Sequence, residues 1–456
     1  MPPYLLACAR PAVLRQSLLS RLTCIASKRL FSAIVSSPSR DQVSIPCRSN
    51  GSISLDIFRP STASPSVLVY LPSGPILPDQ SEEEERVIAA LATTSGSTVV
   101  RINYRLSPEY QYPTPIHDVL LGYDWILENL LHDELRKPHL ARLGVCGELV
   151  GGSLATMLAL TECRLGGRSI AAAAVNNPIT DWAFPDELPI QEPALLPEPN
   201  APEETSSPAD EDLMAWWTKQ DEEESRQKPQ RQKRKPKPLS LSWEQNSDNS
   251  IIPTLLLSGE RDVLFRTPEH YLDRFASPIH FFRSPHGKLV YPYDNHGFAS
   301  MPSEQLQDPL DFETQMSINH YESFDGSPKP VVVPTLVRCR AYARIYPPSG
   351  SSLSLPRWHI TTGSESPLLD QASELAKRMR RAIARQSLRA RTSRVHWADP
   401  SEKARYEEDA EQKVHMSVLA GTGLWTQSNS DLEWRSQLAE VGIWMRENLA
   451  PTHRTR

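Results

Sequence analysis

Leu143-Gly-Val-Cys-Gly-Glu-Leu-Val-Gly-Gly-Ser-Leu-Ala155 is the stretch on which the fold turns. Residues 142–146 read as a short strand. A tight glycine turn follows, and then the Ala/Leu-rich residues 153–162 read as a helix. Working outward, 66–71 and 98–103 are further short apolar strands, and 82–93 and 115–131 carry helical periodicity. Residues 170–175 give a fourth strand of this kind, and 43–58 alternate as one or two edge strands. Strands alternating with helices of this length predict βαβ units: a mostly parallel, twisted sheet with helices on both faces.

Beyond residue 184 the pattern breaks. Residues 186–250 are Pro-rich, with an acidic block at Asp221-Glu-Glu-Glu224 beside a basic one at 228–237. Low hydrophobicity with dense charge does not offset ordering entropy, so a disordered insertion is expected there. Only Leu213-Met-Ala-Trp-Trp217 looks able to dock a helix. Order is expected again from Ile251, as a strand or helix, a loop and a helix to about 283, then loop-rich chain. Residues 357–361 and 414–418 read as strands, and 368–384 and 432–449 as amphipathic helices. The expected layout is a leader over 1–40, the first half of the domain over 41–185, the insertion over 186–250, a cap region over 251–355 and the second half over 356–450.

Composition narrows the function classes. A net charge of -6 gives no sign of a nucleic-acid partner. No apolar run reaches the roughly 18 residues of a membrane span. The six cysteines include no C-x-x-C pair and no histidine at zinc spacing, so no metal and no cofactor is expected, and a reducing compartment fits. Before Asp41 there is no acidic residue, but Arg10, Arg15, Arg21, Lys28, Arg29 and Arg40 recur among Leu, Ile, Ser and Ala. That is the composition of a mitochondrial transit peptide, and Arg29-Leu30-Phe31-Ser32 is similar to a processing site. The bland alternative is a basic tail.

Four stretches carry a family resemblance. Tyr104-Arg-Leu-Ser-Pro-Glu109, with Tyr112-Pro113 and Asp118, is similar to a Y-R-L-A-P-E…F-P…D block. Gly147-Glu-Leu-Val-Gly-Gly-Ser-Leu-Ala155 is similar to G-D-S-A-G-G-N-L-A, Phe275-Ala-Ser-Pro278 to a cap-closing A-S-P, and Gly363-Ser-Glu-Ser-Pro-Leu368 to G-x-x-D-P-L. Together they resemble the hormone-sensitive-lipase-like esterases of the α/β-hydrolase superfamily, and within them fungal homologues. The resemblance implies a nucleophile elbow, in which a serine sits on a sharp strand-to-helix turn between glycines.

Here the turn is kept and the chemistry is not. Gly147, Glu148, Val150, Gly151 and Gly152 supply the elbow, but its centre is Leu149, which has no heteroatom to acylate. The acid position aligns with Ser366 and the histidine position with Leu424. The oxyanion loop aligns with Pro72-Ser73-Gly74-Pro75, and Pro75 has no N–H to donate. Triad members act as a unit, so losing the nucleophile alone removes most of the rate. Three rescues are conceivable: Cys146 as a surrogate thiol, Ser153 one helical turn on, or a displaced pair, Asp262 in Gly259-Glu-Arg-Asp262 with His296 in Asn295-His-Gly-Phe298. His117, His359 and His415 fall inside helix or strand segments and read as core or surface residues. A degenerate hydrolase acting as a scaffold or binder is the expectation, with Leu149 and Leu424 lining a site for a small apolar or acyl ligand. An ester hydrolase with a non-standard nucleophile is the alternative, and a protein partner is not identifiable.

Overall fold

The computed structural model describes residues 39–47, 51–60, 65–77, 81–131, 142–164, 169–186, 188, 241–290, 334–339, 341–348, 350–392, 400–427 and 431–450. Its strands are β1 (Ser39–Pro46), β2 (Ser52–Arg59), β3 (Val67–Leu71), β4 (Thr98–Asn103), β5 (Leu143–Glu148), β6 (Ile170–Asn176), β7 (Gly287–Val290), β8 (Thr335–Arg338), β9 (Arg357–Gly363) and β10 (Val414–Leu419). Its α-helices are α1 (Ser81–Ser95), α2 (Thr114–Asn129), α3 (Leu149–Thr161), α4 (Ser242–Gln245), α5 (Thr254–Leu264), α6 (Pro268–Leu272), α7 (Leu369–Thr392), α8 (Pro400–Lys413) and α9 (Asp431–Leu449).

Eight strands make one sheet in the order β1-β2-β4-β3-β5-β6-β9-β10. The β1–β2 and β2–β4 pairs are antiparallel, and every later pair is parallel. Side chains alternate across β3: Val67, Val69 and Leu71 enter the core beneath α2, α3 and α7, whereas Leu68 and Tyr70 enter the one beneath α1 and α9. Burial on both faces explains why β3 reads as a continuous apolar run. Each fully buried Leu or Val in these layers contributes about 1.5–3 kcal/mol.

Residues 177–356 separate β6 from β9, and within them the Ser354 N–H donates to the Cys163 carbonyl at 2.7 Å, just past the end of α3. The last ten residues of the segment expected to be a disordered insertion, 241–250, are ordered. Trp243 stacks on Phe184 with ring centroids 4.3 Å apart. The Ser242 N–H donates to Asp370 at 2.6 Å, and its hydroxyl to the Pro367 carbonyl at 3.0 Å. Leu213–Trp217, both charge blocks and nearly all of the leader lie outside the described residues.

The cap end is tied down by charge. Arg283, only 3% exposed, bonds Asp181 at 2.7 Å and Glu374 of α7 at 3.0 Å. Burial pushes the Asp181 carboxyl up, but Arg283 and His280 outweigh it and hold it well below the usual carboxylate range. The Ile279 N–H also donates to the Thr180 carbonyl at 3.1 Å. Among the described residues, no helix is long and apolar enough to cross a membrane.

Candidate functional site at the strand C-termini

Ligand sites of open α/β sheets lie beyond the carboxyl ends of the strands. The three positions matched to a catalytic triad all lie there: Leu149 directly after β5, Ser366 after β9 and Leu424 after β10.

The turn at Leu149 is built as sharply as its glycines predict. Leu149 has φ 51°, a left-handed conformation that a branched apolar residue rarely adopts. A Cβ on Gly147 would lie 2.4 Å from the Gly151 carbonyl oxygen, and one on Gly151 would lie 2.2 Å from the carbonyl oxygens of Leu71 and Pro72. No real side chain tolerates that approach, so both positions demand glycine.

Leu149 is 0% exposed and Leu424 is 3% exposed, and both belong to the core cluster shared with Ile76 and Leu77. Both side chains, expected to line a ligand site, are packed into the core. The cavity beside the elbow is bordered instead by Val150 and Ser153 of α3 together with Leu106, Tyr112, Trp182 and Phe265. Its volume is about 30 Å³. That is space for a water-sized occupant, against roughly 300–1,000 Å³ in typical ligand pockets.

Ser366 is buried, and its hydroxyl accepts the Leu368 N–H at 3.2 Å, so it caps the entry to α7. The histidine loop is held from several sides. Gly363 packs so closely that a Cβ there would meet Thr422 at 2.2 Å. The Asn176 amide donates to the Gly423 carbonyl at 2.8 Å and to the Thr361 hydroxyl at 2.8 Å. The Asn177 amide donates to the Thr422 carbonyl at 3.1 Å, from a backbone at φ 42°. Asn249 donates to both the Glu365 carbonyl, at 2.8 Å, and the Thr422 hydroxyl, at 3.3 Å.

Two buried acids fix the loops on either side of the elbow. Glu148 is fully buried and accepts the Trp425 N–H, the Thr426 N–H at 3.3 Å and the Thr426 hydroxyl at 2.8 Å. Burial raises its carboxyl to about 7, against the pull of the Thr426 and Trp425 hydrogen bonds. Glu84 of α1 accepts both the N–H and the hydroxyl of Ser73 at 3.1 Å, and pairs with Arg101 at 2.7 Å. In the oxyanion loop the Ser73 N–H is therefore engaged by Glu84 and Pro75 has none. Gly74, at φ 83°, packs on Val150, and the Tyr104 hydroxyl holds the Pro72 carbonyl at 2.6 Å.

Sequence reasoning gave no role to Glu84, Asn176, Asn177 or Asn249. The doubled asparagine at the end of an apolar strand was a visible signal; the others become partners through tertiary structure alone. The Arg105–Asp118 contact, at 2.9 Å from Nε and 2.7 Å from Nη2, braces the Tyr104–Glu109 block against α2.

The surrogates fall elsewhere. Cys146 belongs to the cluster beneath α1 and α9, on the opposite face of the sheet from α3, and burial pushes its thiol far up. Ser153 donates to the Ala276 carbonyl at 3.3 Å. Asp262 sits on α5, not after a strand; its side chain is 70% exposed and pairs with Arg261 at 2.9 Å. His296 lies outside the described residues.

Comparison with known proteins agrees with this architecture. Two relatives are an ethyl acetate hydrolase of Pseudomonas putida, 31% identical over 121 residues, and Esterase LipI of Mycobacterium tuberculosis, 28% identical over 123 residues. These matches cover 26% and 27% of this chain, and only 37% and 38% of the relatives' own lengths. Among solved structures, carboxyl esterase 2 of the mycorrhizal fungus Tuber melanosporum superposes with a TM-score of 0.50 at 12% identity, covering 91% of this chain and 88% of that one, a likeness of fold alone. The sequence pattern of the α/β-hydrolase fold matches residues 68–300, about half of the chain, while the sheet continues beyond it through β9 and β10. With the motifs it carries, the chain belongs to the α/β-hydrolase fold family, in its hormone-sensitive-lipase-like group.

Proposed function

We propose that this protein is a hydrolase-fold protein without esterase activity, serving as a scaffold or binding protein. One observation carries the reading: the elbow residue is a leucine, buried in the core at φ 51°. Acyl transfer needs a nucleophile, a base to take its proton and donors for the oxyanion. The aligned positions hold Leu149, Leu424 and the 72–75 loop, whose Ser73 N–H is turned to Glu84. Filling of the triad region by packed leucines supports a scaffold role over acyl binding there. The test is a promiscuous p-nitrophenyl ester assay with parallel fluorophosphonate labelling.

Similarity to an ethyl acetate hydrolase and to an esterase supports a second reading: an ester hydrolase with a non-standard nucleophile. Stoichiometric fluorophosphonate labelling of one Ser or Cys would establish it. We further propose that residues 1–40 act as a mitochondrial import signal, on the strength of their acid-free, Arg-spaced composition.

A further inference from the structure

Strands β9 and β10 are parallel and in register, which sets His359 directly beside His415 on one face of the sheet. Their ring centroids are 4.9 Å apart with the planes inclined at 33°. Trp444 of α9 packs against His359 at 5.3 Å. His359 is 2% exposed and its Nδ1 has no hydrogen-bond partner among the described residues. A buried nitrogen left unpaired is costly, because it forgoes the hydrogen bond that water would supply. His415 is exposed, because β10 is the edge strand of the sheet. The pair thus has one anchored imidazole and one open to solvent.

Chelation geometry can be set against this spacing. With a metal–nitrogen bond of about 2.0–2.1 Å and a nitrogen about 1.1 Å from its ring centre, each centroid lies about 3.2 Å from the metal. Two such rings then stand roughly 4.5 Å apart at a right-angled N–metal–N arrangement and roughly 5.2 Å apart at a tetrahedral one. The observed 4.9 Å lies between the two.

We propose that His359 and His415 form a two-histidine site for a borderline transition-metal dication, Zn²⁺ foremost, that staples the edge strand to the sheet. Imidazole donors select zinc, copper or nickel over magnesium and calcium. The Ser417 hydroxyl lies 3.3 Å from His415 Nδ1, a contact of the kind that orients ligating imidazoles. Among the described residues no third His, Cys, Asp or Glu joins the pair, so water or a small anion completes the coordination.

The proposal is tested by titrating the full chain with Zn²⁺ at pH 7.5, following heat of binding and Tm. One ion is expected to bind per chain and to raise Tm, with EDTA reversing the rise. His415→Ala, an exposed substitution, should weaken binding at least about tenfold and remove the Tm rise. His117→Ala, on the exposed face of α2, should leave both unchanged. Absence of binding by the native protein overturns the proposal, as does undiminished binding by His415→Ala or loss of binding in His117→Ala.

Discussion

Replacing Leu149 by Ala, Gly and Ser in parallel separates the geometry of the elbow from its chemistry. Leu149 is fully buried, so truncation to Ala removes its transfer energy and leaves a cavity, a loss of about 2–5 kcal/mol. Gly removes one more methyl, about 0.8 kcal/mol. At φ 51°, however, it also escapes the Cβ penalty of about 1–2 kcal/mol. Leu149→Gly should therefore be at least as stable as Leu149→Ala, whereas in an ordinary helical turn Gly is worse by about 1 kcal/mol. Leu149→Ser adds a buried hydroxyl without a base, at a further cost of about 1–3 kcal/mol, and should hydrolyse no p-nitrophenyl butyrate. Urea unfolding supplies the stabilities, and the ester assay supplies the activity. A Gly variant less stable than the Ala variant by more than about 1 kcal/mol would refute the left-handed elbow. Turnover by the single Ser variant would refute the account of the missing base.

Further outcomes follow from the same geometry. Gly151→Ala drives a Cβ to 2.2 Å from two carbonyl oxygens, so soluble, cooperatively folding protein should not be recovered; a native-like thermal transition would contradict this. Asp181→Ala should cost about 3–5 kcal/mol in urea unfolding, because Arg283 then keeps only Glu374 as a charged partner in the interior. For Glu148, raised from 4.5 to about 7, the folded state holds a proton that the unfolded chain releases between those values. Its contribution is complete below the unfolded value and falls as pH rises through the window, by about 3 kcal/mol in total. Half-buried His286 and buried His359, held at about 4, tilt stability the other way below 6.5, so the readout is the difference between native protein and Glu148→Gln across pH 4.5 to 7. A difference independent of pH would remove Glu148 from the account. The first 40 residues fused to a reporter should direct it to mitochondria, and a cytosolic reporter would refute the import signal.

Much of the fold was legible because its signals are local. The buried strands announce themselves as apolar runs, and the Gly147–Gly151 spacing announces the turn because only hydrogen fits where each Cβ would lie. Helix α8 escaped notice because Pro400–Lys413 is charged almost throughout, with Tyr406 and Ala410 as its buried contacts. Residues 241–250 read as part of a solvated insertion because their order rests on Phe184 and Asp370, distant in sequence. At the candidate site, the identities of Leu149, Ser366 and Leu424 were legible, but their burial was not. Apolar residues lining a pocket and apolar residues filling one look alike in a sequence. Burial within the core cluster distinguishes them.

The central claim is that the elbow carries no working nucleophile. It is tested most directly by exposing the purified full chain to a fluorophosphonate probe and locating any adduct by peptide mass spectrometry. The account predicts no stoichiometric adduct and no ester turnover above that of a denatured control. One probe per chain on a single serine or cysteine, Ser153 and Cys146 included, would contradict it.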